Sequence, residues 1–171
     1  MPCGSFSILQ GLNKGTRSHN NPEGNNTLMR EIKGNEILRR TVMLCSILHA
    51  HGSFFPIENP KSSYAWHMSS LVELLNCTSS NCVNLDQCQY GLKIPDENNR
   101  MGLARKATTF AGTLPGLGRL AKKCSGSHSH VQVIGGVKTK SGWQRRSTLA
   151  GAYPSALCQR YHSMCLDLFR D

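Results

Sequence analysis

Between Asn35 and Pro60 the chain changes its periodicity across a single glycine, and this switch limits the architectures open to it. Ile37, Leu38, Thr41, Val42, Leu44, Cys45, Ile47 and Leu48 recur at helical spacing over Asn35 to His51, and Gly52 follows as the residue type that best ends a helix. The next apolar run, Ser53 to Ile57, stops at Glu58-Asn59-Pro60; it is too short for a helix and suits a buried strand. Helix, glycine turn and strand together form an α/β crossover, in which functional groups gather where strands end. Glu58 and Asn59 are therefore expected at the carboxyl edge of a parallel strand.

The remaining elements are read in the same way. A second helix is expected from Ser62 to Leu75, with Tyr64, Trp66, Leu71, Val72, Leu74 and Leu75 on its apolar side. Cys82 to Leu85 and Thr108 to Phe110 are candidate strands. Pro154 to Phe169 carries Leu157, Tyr161, Met164, Cys165 and Leu168 at helical spacing, and Pro154 suits a helix start. Residues 8 to 30, with Gly11, Gly15, Gly24 and five asparagines, read as a long loop; such loops are usually functional or disordered. The length of 171 residues fits one small domain. No repeat, no apolar run of about 18 residues and no secretory leader is evident. Collagen, coiled-coil and membrane classes are excluded, and an intracellular location, nuclear or cytoplasmic, is expected.

Charge divides the chain. Residues 1 to 97 hold 8 basic and 8 acidic residues and Asn98 to Cys165 hold 11 basic residues and no acid; residues 166 to 171 subtract one, for a net charge of +10 overall. An acid-free basic stretch suits a polyanion, because each Lys or Arg near a phosphate releases condensed counterions; it equally suits a solvated basic face. The nucleic-acid-binding candidates are Arg105, Lys106, Arg119, Lys122, Lys123, Lys138, Lys140, Trp143, Arg145 and Arg146, with DNA as the expected partner and no membrane or obligate protein partner indicated. Trp143 pairs a stacking surface with a basic flank, although a hairpin closing on the Trp accounts for it equally well. Tyr64 and Trp66 have the faces to stack on an unpaired base, but their helical spacing points to a core.

The 8 cysteines, at positions 3, 45, 77, 82, 88, 124, 158 and 165, are too irregular for a disulfide framework and form no C-x-x-C pair. Without an export signal the thiols are expected to be reduced, and the sequons at Asn25 and Asn76 then have no meaning. Cys88, Cys124, His128 and His130 are the best candidate metal set, because Cys and His are the zinc ligands and Gly126 between them permits a tight wrap. The long separation of Cys88 from Cys124 counts against it. So does the opposite facing of His128 and His130 if their segment is a strand. Cys77, Cys82, Cys158 and Cys165 read as packing thiols, and His49, His51, His67 and His162 as surface histidines.

Two strings carry most of the chemistry. Pro2-Cys3-Gly4-Ser5-Phe6-Ser7 places a thiol on a tight turn, and Pro56-Ile57-Glu58-Asn59-Pro60 places a carboxylate at a strand end. Together they suit attack on an electron-poor ring, with thiolate adding to carbon while a carboxylic acid protonates a ring nitrogen. The plainer readings are a cysteine near a chain terminus and an Asn-Pro turn.

These strings resemble the Pro-Cys and Glu-Asn-Val motifs of cytosine-5 DNA methyltransferases. The closer likeness is to divergent methyltransferase-like proteins of phages, transposable elements and some protist genomes. Their motif order is matched here by Pro2 to Ser7, Glu58 to Trp66, Asp86-Gln87-Cys88-Gln89-Tyr90-Gly91, Lys106-Ala107-Thr108 and Cys124-Ser125-Gly126-Ser127-His128-Ser129-His130. The resemblance implies an α/β chain with a partial Rossmann-like methyltransferase sheet over residues 1–97. Residues 98–171 are read, from their charge and their Cys and His residues, as a basic, irregular C-terminal region and a candidate nucleic-acid-binding and zinc-supported subdomain.

It also implies Cys3 as nucleophile, Glu58 on the ring-nitrogen edge of a cytosine flipped out of the duplex, and Asn59 holding loop and base. S-adenosylmethionine would be the methyl donor in a complete protein only. The glycine-rich cofactor-binding half that precedes Pro-Cys in the family is not among these residues, and Pro60 stands where the family has Val. The chain is accordingly read as a C-terminal fragment, inactive alone. A non-catalytic basic nucleic-acid-binding module and a mobile-element remnant are the alternative readings.

Overall fold

The architecture follows from a chain whose apolar residues come in short blocks separated by polar loops. The structure, a computed structural model, describes residues 4–139 and 142–170. In chain order these form α1 (Met29–Ala50), β1 (Pro56–Pro60), α2 (Ser69–Cys77), β2 (Asn81–Asp86), β3 (Lys93–Pro95), β4 (Met101–Leu103), β5 (Ala107–Gly112), β6 (Gly136–Thr139), β7 (Gly142–Arg145), α3 (Arg146–Leu149) and α4 (Ser155–Asp167). Single 3-10 turns lie at Ile8–Asn13, Tyr64–His67, Gln87–Tyr90 and Leu117–Leu120. The chain is thus mixed α/β. One sheet has three strands in the order β1-β5-β2, and β3-β4 and β6-β7 are two-stranded antiparallel sheets. No described helix is long and apolar enough to cross a membrane.

Two compact units divide the chain, one comprising Met1–Val83 with Thr109–Leu117 and the other Asn84–Thr108 with Gly118–Asp171. The position between residues 97 and 98, where the charge changes, falls inside the second unit.

In the first unit the core is Phe6, Leu38, Cys45, Phe55, Ile57, Ala65, Met68, Leu71 and Leu74. Helix α1 begins six residues before the expected Asn35, because its first turns are held by polar groups rather than apolar ones. Glu31, fully buried, accepts from the Thr16 amide at 2.7 Å and the Thr16 hydroxyl at 2.6 Å. Asn35 accepts from the Arg17 guanidinium at 2.7 Å and donates to the Glu23 carbonyl at 2.9 Å. The long polar loop is thereby tied to the helix.

The broad apolar stripe expected for α1 is narrower than its sequence suggests. Leu38 and Cys45 are buried, whereas Ile37, Leu44, Ile47 and Leu48 are exposed, Leu44 at 57%. The buried face instead uses Glu31, Gly34 and Asn35, at helical spacing with Leu38 and Cys45.

Strand β1 starts three residues later than the expected Ser53, and its end prolines suit a strand at the edge of its sheet. Phe54 is exposed. Phe55 is buried, and it exchanges bonds with Thr113, whose amide donates to the Phe55 carbonyl at 3.0 Å and whose hydroxyl accepts from the Phe55 amide at 3.2 Å. Gly112 is required here, because a Cβ would collide with the Phe55 carbonyl. The expected second helix is divided into a 3-10 turn and α2, with Tyr64 and Trp66 packed against the core and the Trp66 indole donating to the Pro60 carbonyl at 2.9 Å.

In the second unit Leu92, Ile94, Ala104 and Ala150 form a small core, with Val131, Val133 and Leu149 packed on it. The β3-β4 hairpin was not expected, whereas the β6-β7 hairpin, with Trp143 on its second strand, is the alternative weighed for that residue. In the β3-β4 turn the Asp96 carboxylate accepts from the amides of Asn98 and Arg100, each at 2.8 Å, and Asn99 adopts the left-handed conformation. In the other hairpin Lys138 lies opposite Trp143. Helix α4 begins after Pro154, where the tail helix was expected to start.

Candidate functional site

The first candidate site lies in the first unit, where two of the strings meet. The Phe6 carbonyl accepts from the Tyr64 amide at 2.8 Å and from the Ser63 hydroxyl at 3.4 Å. Phe6 itself is fully buried in one core with Ile57 and Ala65. The Arg17 guanidinium lies 3.9 Å from the centre of the Phe6 ring and donates to the carbonyls of Pro22 and Glu31. A Cβ on Gly34 would run into the Ser5 hydroxyl, so the bare helix surface admits this turn. Gly4 to Ser7 and Glu58 to Trp66 are therefore parts of one packed body.

Glu58 and Asn59 are the third and fourth of the five residues of β1, next to Pro60 at its carboxyl end, where they are expected. Asn59 is 0% exposed, and neither its amide nitrogen nor its amide oxygen has a hydrogen-bond partner among the described residues. The same holds for Glu58 Oε1 and the Ser5 hydroxyl. Buried polar atoms of native proteins are nearly always paired, so a group of orphaned atoms at one strand is an unusual arrangement. Cys3, the expected nucleophile, lies outside the described residues.

The second candidate site lies in the second unit, where the other three strings meet. Gln87, fully buried, donates through its side chain to the Thr108 hydroxyl at 2.9 Å and through its amide to the Lys106 carbonyl at 3.1 Å. Tyr90 donates its hydroxyl to the Leu120 carbonyl at 2.9 Å, and Gly91 closes the 3-10 turn in the left-handed conformation. These bonds hold Cys88, the middle of the turn, in a fixed place.

Leu85 and Lys122 form an isolated parallel bridge, and the Asp86 amide donates to the Lys122 carbonyl at 2.8 Å. Asp86 then accepts from the Cys124 amide at 2.8 Å and pairs with Arg105 at 3.5 Å. Sequence reading gave Asp86 no role, because its importance lies in a bond spanning 38 positions.

The Sγ and ring-nitrogen atoms of Cys88, Cys124, His128 and His130 all lie within 4.8 Å of one another. Cys124 Sγ is 3.6 Å from His128 Nε2 and 3.4 Å from His130 Nε2, and it accepts from the Gly126 amide at 3.3 Å. The histidines lie on a bent loop, not a strand, and Gly126 turns it at φ +80°. The objection that His128 and His130 face opposite ways therefore does not apply. Burial, then the neighbouring Cys124 thiol, then the Asp86 charge push the Cys88 thiol up to about 11. The cluster is a set able to hold a metal ion such as zinc.

The basic candidates take different places in the second unit. Lys122, Lys123, Lys138 and Arg145 are exposed, as is Trp143 at 72%, with its indole over Gly136. Lys122 also lies 4.6 Å from the centre of the Tyr90 ring. Lys106 donates to the Ala150 carbonyl at 3.0 Å, and Arg119 pairs with Asp167 at 2.5 Å. Arg146, expected on the binding surface, is 8% exposed and donates to the Ile134 carbonyl at 3.3 Å, so it belongs to the interior of its hairpin. Lys140 lies outside the described residues.

The described residues do not fit S-adenosylmethionine. Gly112 ends β5, and Gly116 and Gly118 lie before and within a single 3-10 turn rather than at the start of the α-helix whose amide end would face such a ligand. No family model matches the chain, and no curated protein or solved structure matches it either.

Proposed function

We propose that the chain is a nucleic-acid-binding body built on a cytosine-5-methyltransferase-like scaffold, with DNA as its partner and a partial Rossmann-like sheet as its frame. The observation that carries this reading is the union of Gly4 to Ser7 with Glu58 to Trp66 around the buried Phe6, beside an Asn59 whose amide has no partner among the described residues. A cytosine edge offers the donors and acceptors that the Asn59 amide and Glu58 carboxyl lack. Cys3 would supply the thiolate that adds to the ring carbon, and Glu58 would hold the proton at the ring nitrogen. No methyl-transfer step is derived for these residues, so the activity proposed for the chain itself is binding.

A second reading, a basic nucleic-acid-binding module without a base pocket, is favoured by one observation. Lys122, Lys123, Lys138, Arg145 and Trp143 are all exposed in the second unit, whose basic residues outnumber its acids. One titration separates the two. Fluorescence anisotropy compares a matched duplex with the same duplex carrying one unpaired cytosine, whose extrusion costs a few kcal/mol less. The methyltransferase-like reading requires at least roughly tenfold tighter binding of the second duplex and loss of that preference in Asn59→Leu. Equal affinity for both, with a steep fall in salt, leaves the basic module as the function.

A further inference from the structure

We propose that Cys88, Cys124, His128 and His130 form a closed, four-ligand zinc centre that orders the second unit. The inference is independent of the base-binding reading, since it rests on different residues in a different unit.

Geometry is the first argument. Zinc–sulfur and zinc–nitrogen bonds of about 2.3 and 2.0–2.1 Å at a tetrahedral angle put sulfur and nitrogen about 3.6 Å apart. The two distances from Cys124 Sγ, 3.6 and 3.4 Å, have this length. Both histidines present Nε2 to the same sulfur, with ring centres 4.5 Å apart and planes at 64°. Cys88 completes the set within the same 4.8 Å. Two sulfurs and two imidazoles in tetrahedral array select zinc over the oxygen-seeking magnesium and calcium.

Scaffolding is the second argument. The site joins two rigidly held donors to a loop with little else to order it. Cys88 sits on a turn fixed by Gln87 and Tyr90, and the Cys124 amide is anchored by Asp86. Residues 123–130 contain no helix or strand, and their other bonds include only short-range ones such as Ser125 to Ser127 at 2.9 Å. The Gly126 amide, aimed at Cys124 Sγ, is the donor expected beside a metal-bound thiolate.

Charge is the third argument. Uptake of one zinc ion by two thiols and two neutral imidazoles releases two protons and leaves a neutral site, so it adds no charge to an already basic region. With four protein ligands there is no open position for water, which makes the centre structural rather than catalytic. Asp86 acts as a positioning residue, since it bonds the Cys124 backbone and not the metal.

The full chain, purified under reducing conditions and dialysed against metal-free buffer, is expected to retain roughly one zinc per molecule by mass spectrometry. Cys124→Ser and His130→Ala are expected to retain less than about a tenth of that, whereas Cys158→Ser, which removes an exposed thiol of the same unit, retains all of it. Because a ligand variant can fail to fold, cobalt titration of the unaltered chain supplies a second reading. Intense visible bands of a tetrahedral thiolate site, saturating at one equivalent and displaced by zinc, are expected. The proposal is overturned by substoichiometric zinc in the unaltered chain, by octahedral cobalt spectra, by full retention in Cys124→Ser, or by a Cys88–Cys124 disulfide in the reduced preparation.

Discussion

Both units bury unpaired polar atoms, Gln87 Oε1 and Arg146 Nε among them in the second, but the two differ in what surrounds them. In the first, the Asn59 amide, Glu58 Oε1 and the Ser5 hydroxyl are buried without partners beside a well-packed apolar core. In the second, two thiols and two imidazoles converge on one point within a unit whose own apolar cluster is small. Where packing is weak, convergent donors substitute for it once a cation binds. The first arrangement is poised to accept a ligand's hydrogen bonds; the second is poised to close around an ion.

Metal removal tests this contrast most strongly, since the apparent binding energy of structural zinc, about 10–16 kcal/mol, is also folding energy. A strong chelator is expected to abolish amide-exchange protection at residues 84–91 and 122–131 while leaving protection at Leu38, Ile57 and Leu71. Equal loss in both units would show that the first unit also depends on the metal.

Phe6→Ala strikes the other side. Phe6 is 0% exposed at the centre of the first core, and its loss should cost about 3–5 kcal/mol in urea denaturation. Zinc content should be unchanged; a loss of zinc would erase the distinction between the units.

The Glu31 carboxylate sharpens the comparison through pH. Burial pushes its pKa up, but the bonds from Thr16 and the charges of Arg17 and Arg30 outweigh it and hold the carboxyl below its ordinary value of 4.5. A depressed folded pKa means that the stabilisation is fully present above about pH 4.5 and is lost as pH falls through the lower folded value. Glu31→Gln should cost about 1.5–3 kcal/mol at neutral pH. It should also flatten the acid limb of first-unit stability measured by circular dichroism. An unaltered acid limb would remove Glu31 from the account.

The smallest expected effect has the opposite sign. Replacing the orphaned amide with an apolar group of similar shape, Asn59→Leu, should stabilise the free chain by about 1–2 kcal/mol. Destabilisation by that amount would mean that Asn59 has partners that its placement does not reveal.

Particular residues show where sequence reading stopped. β2 and β5 were expected within one or two residues of their observed ends, and α4 starts at Ser155, directly after the expected Pro154, because short apolar runs and a proline start are local signals. The polar start of α1 was missed, since Glu31 and Asn35 are buried by bonds to Thr16, Arg17 and Glu23 rather than by hydrophobicity. The β3-β4 hairpin was missed, and the β6-β7 hairpin was reached only as an alternative role for Trp143, because strands of three or four residues carry almost no periodic signal. Among the metal donors, all four were identified by type. Their meeting was doubted for the long separation of Cys88 from Cys124 and for a strand geometry at His128 and His130 that the loop at Gly126 does not have.

By itself the sequence determined the local elements, the acid-free basic stretch and the chemical identity of both candidate sites. Each depends on residue type and on spacings of a few positions. Only the tertiary structure decided that Cys88 meets Cys124, that Phe6 joins the body of Glu58 and Asn59, and that Arg146 is turned inward. The physical reason is that these placements are fixed by bonds between distant positions, such as Asp86 to Cys124 and Tyr64 to Phe6, and helical or strand periodicity carries no information about such pairs.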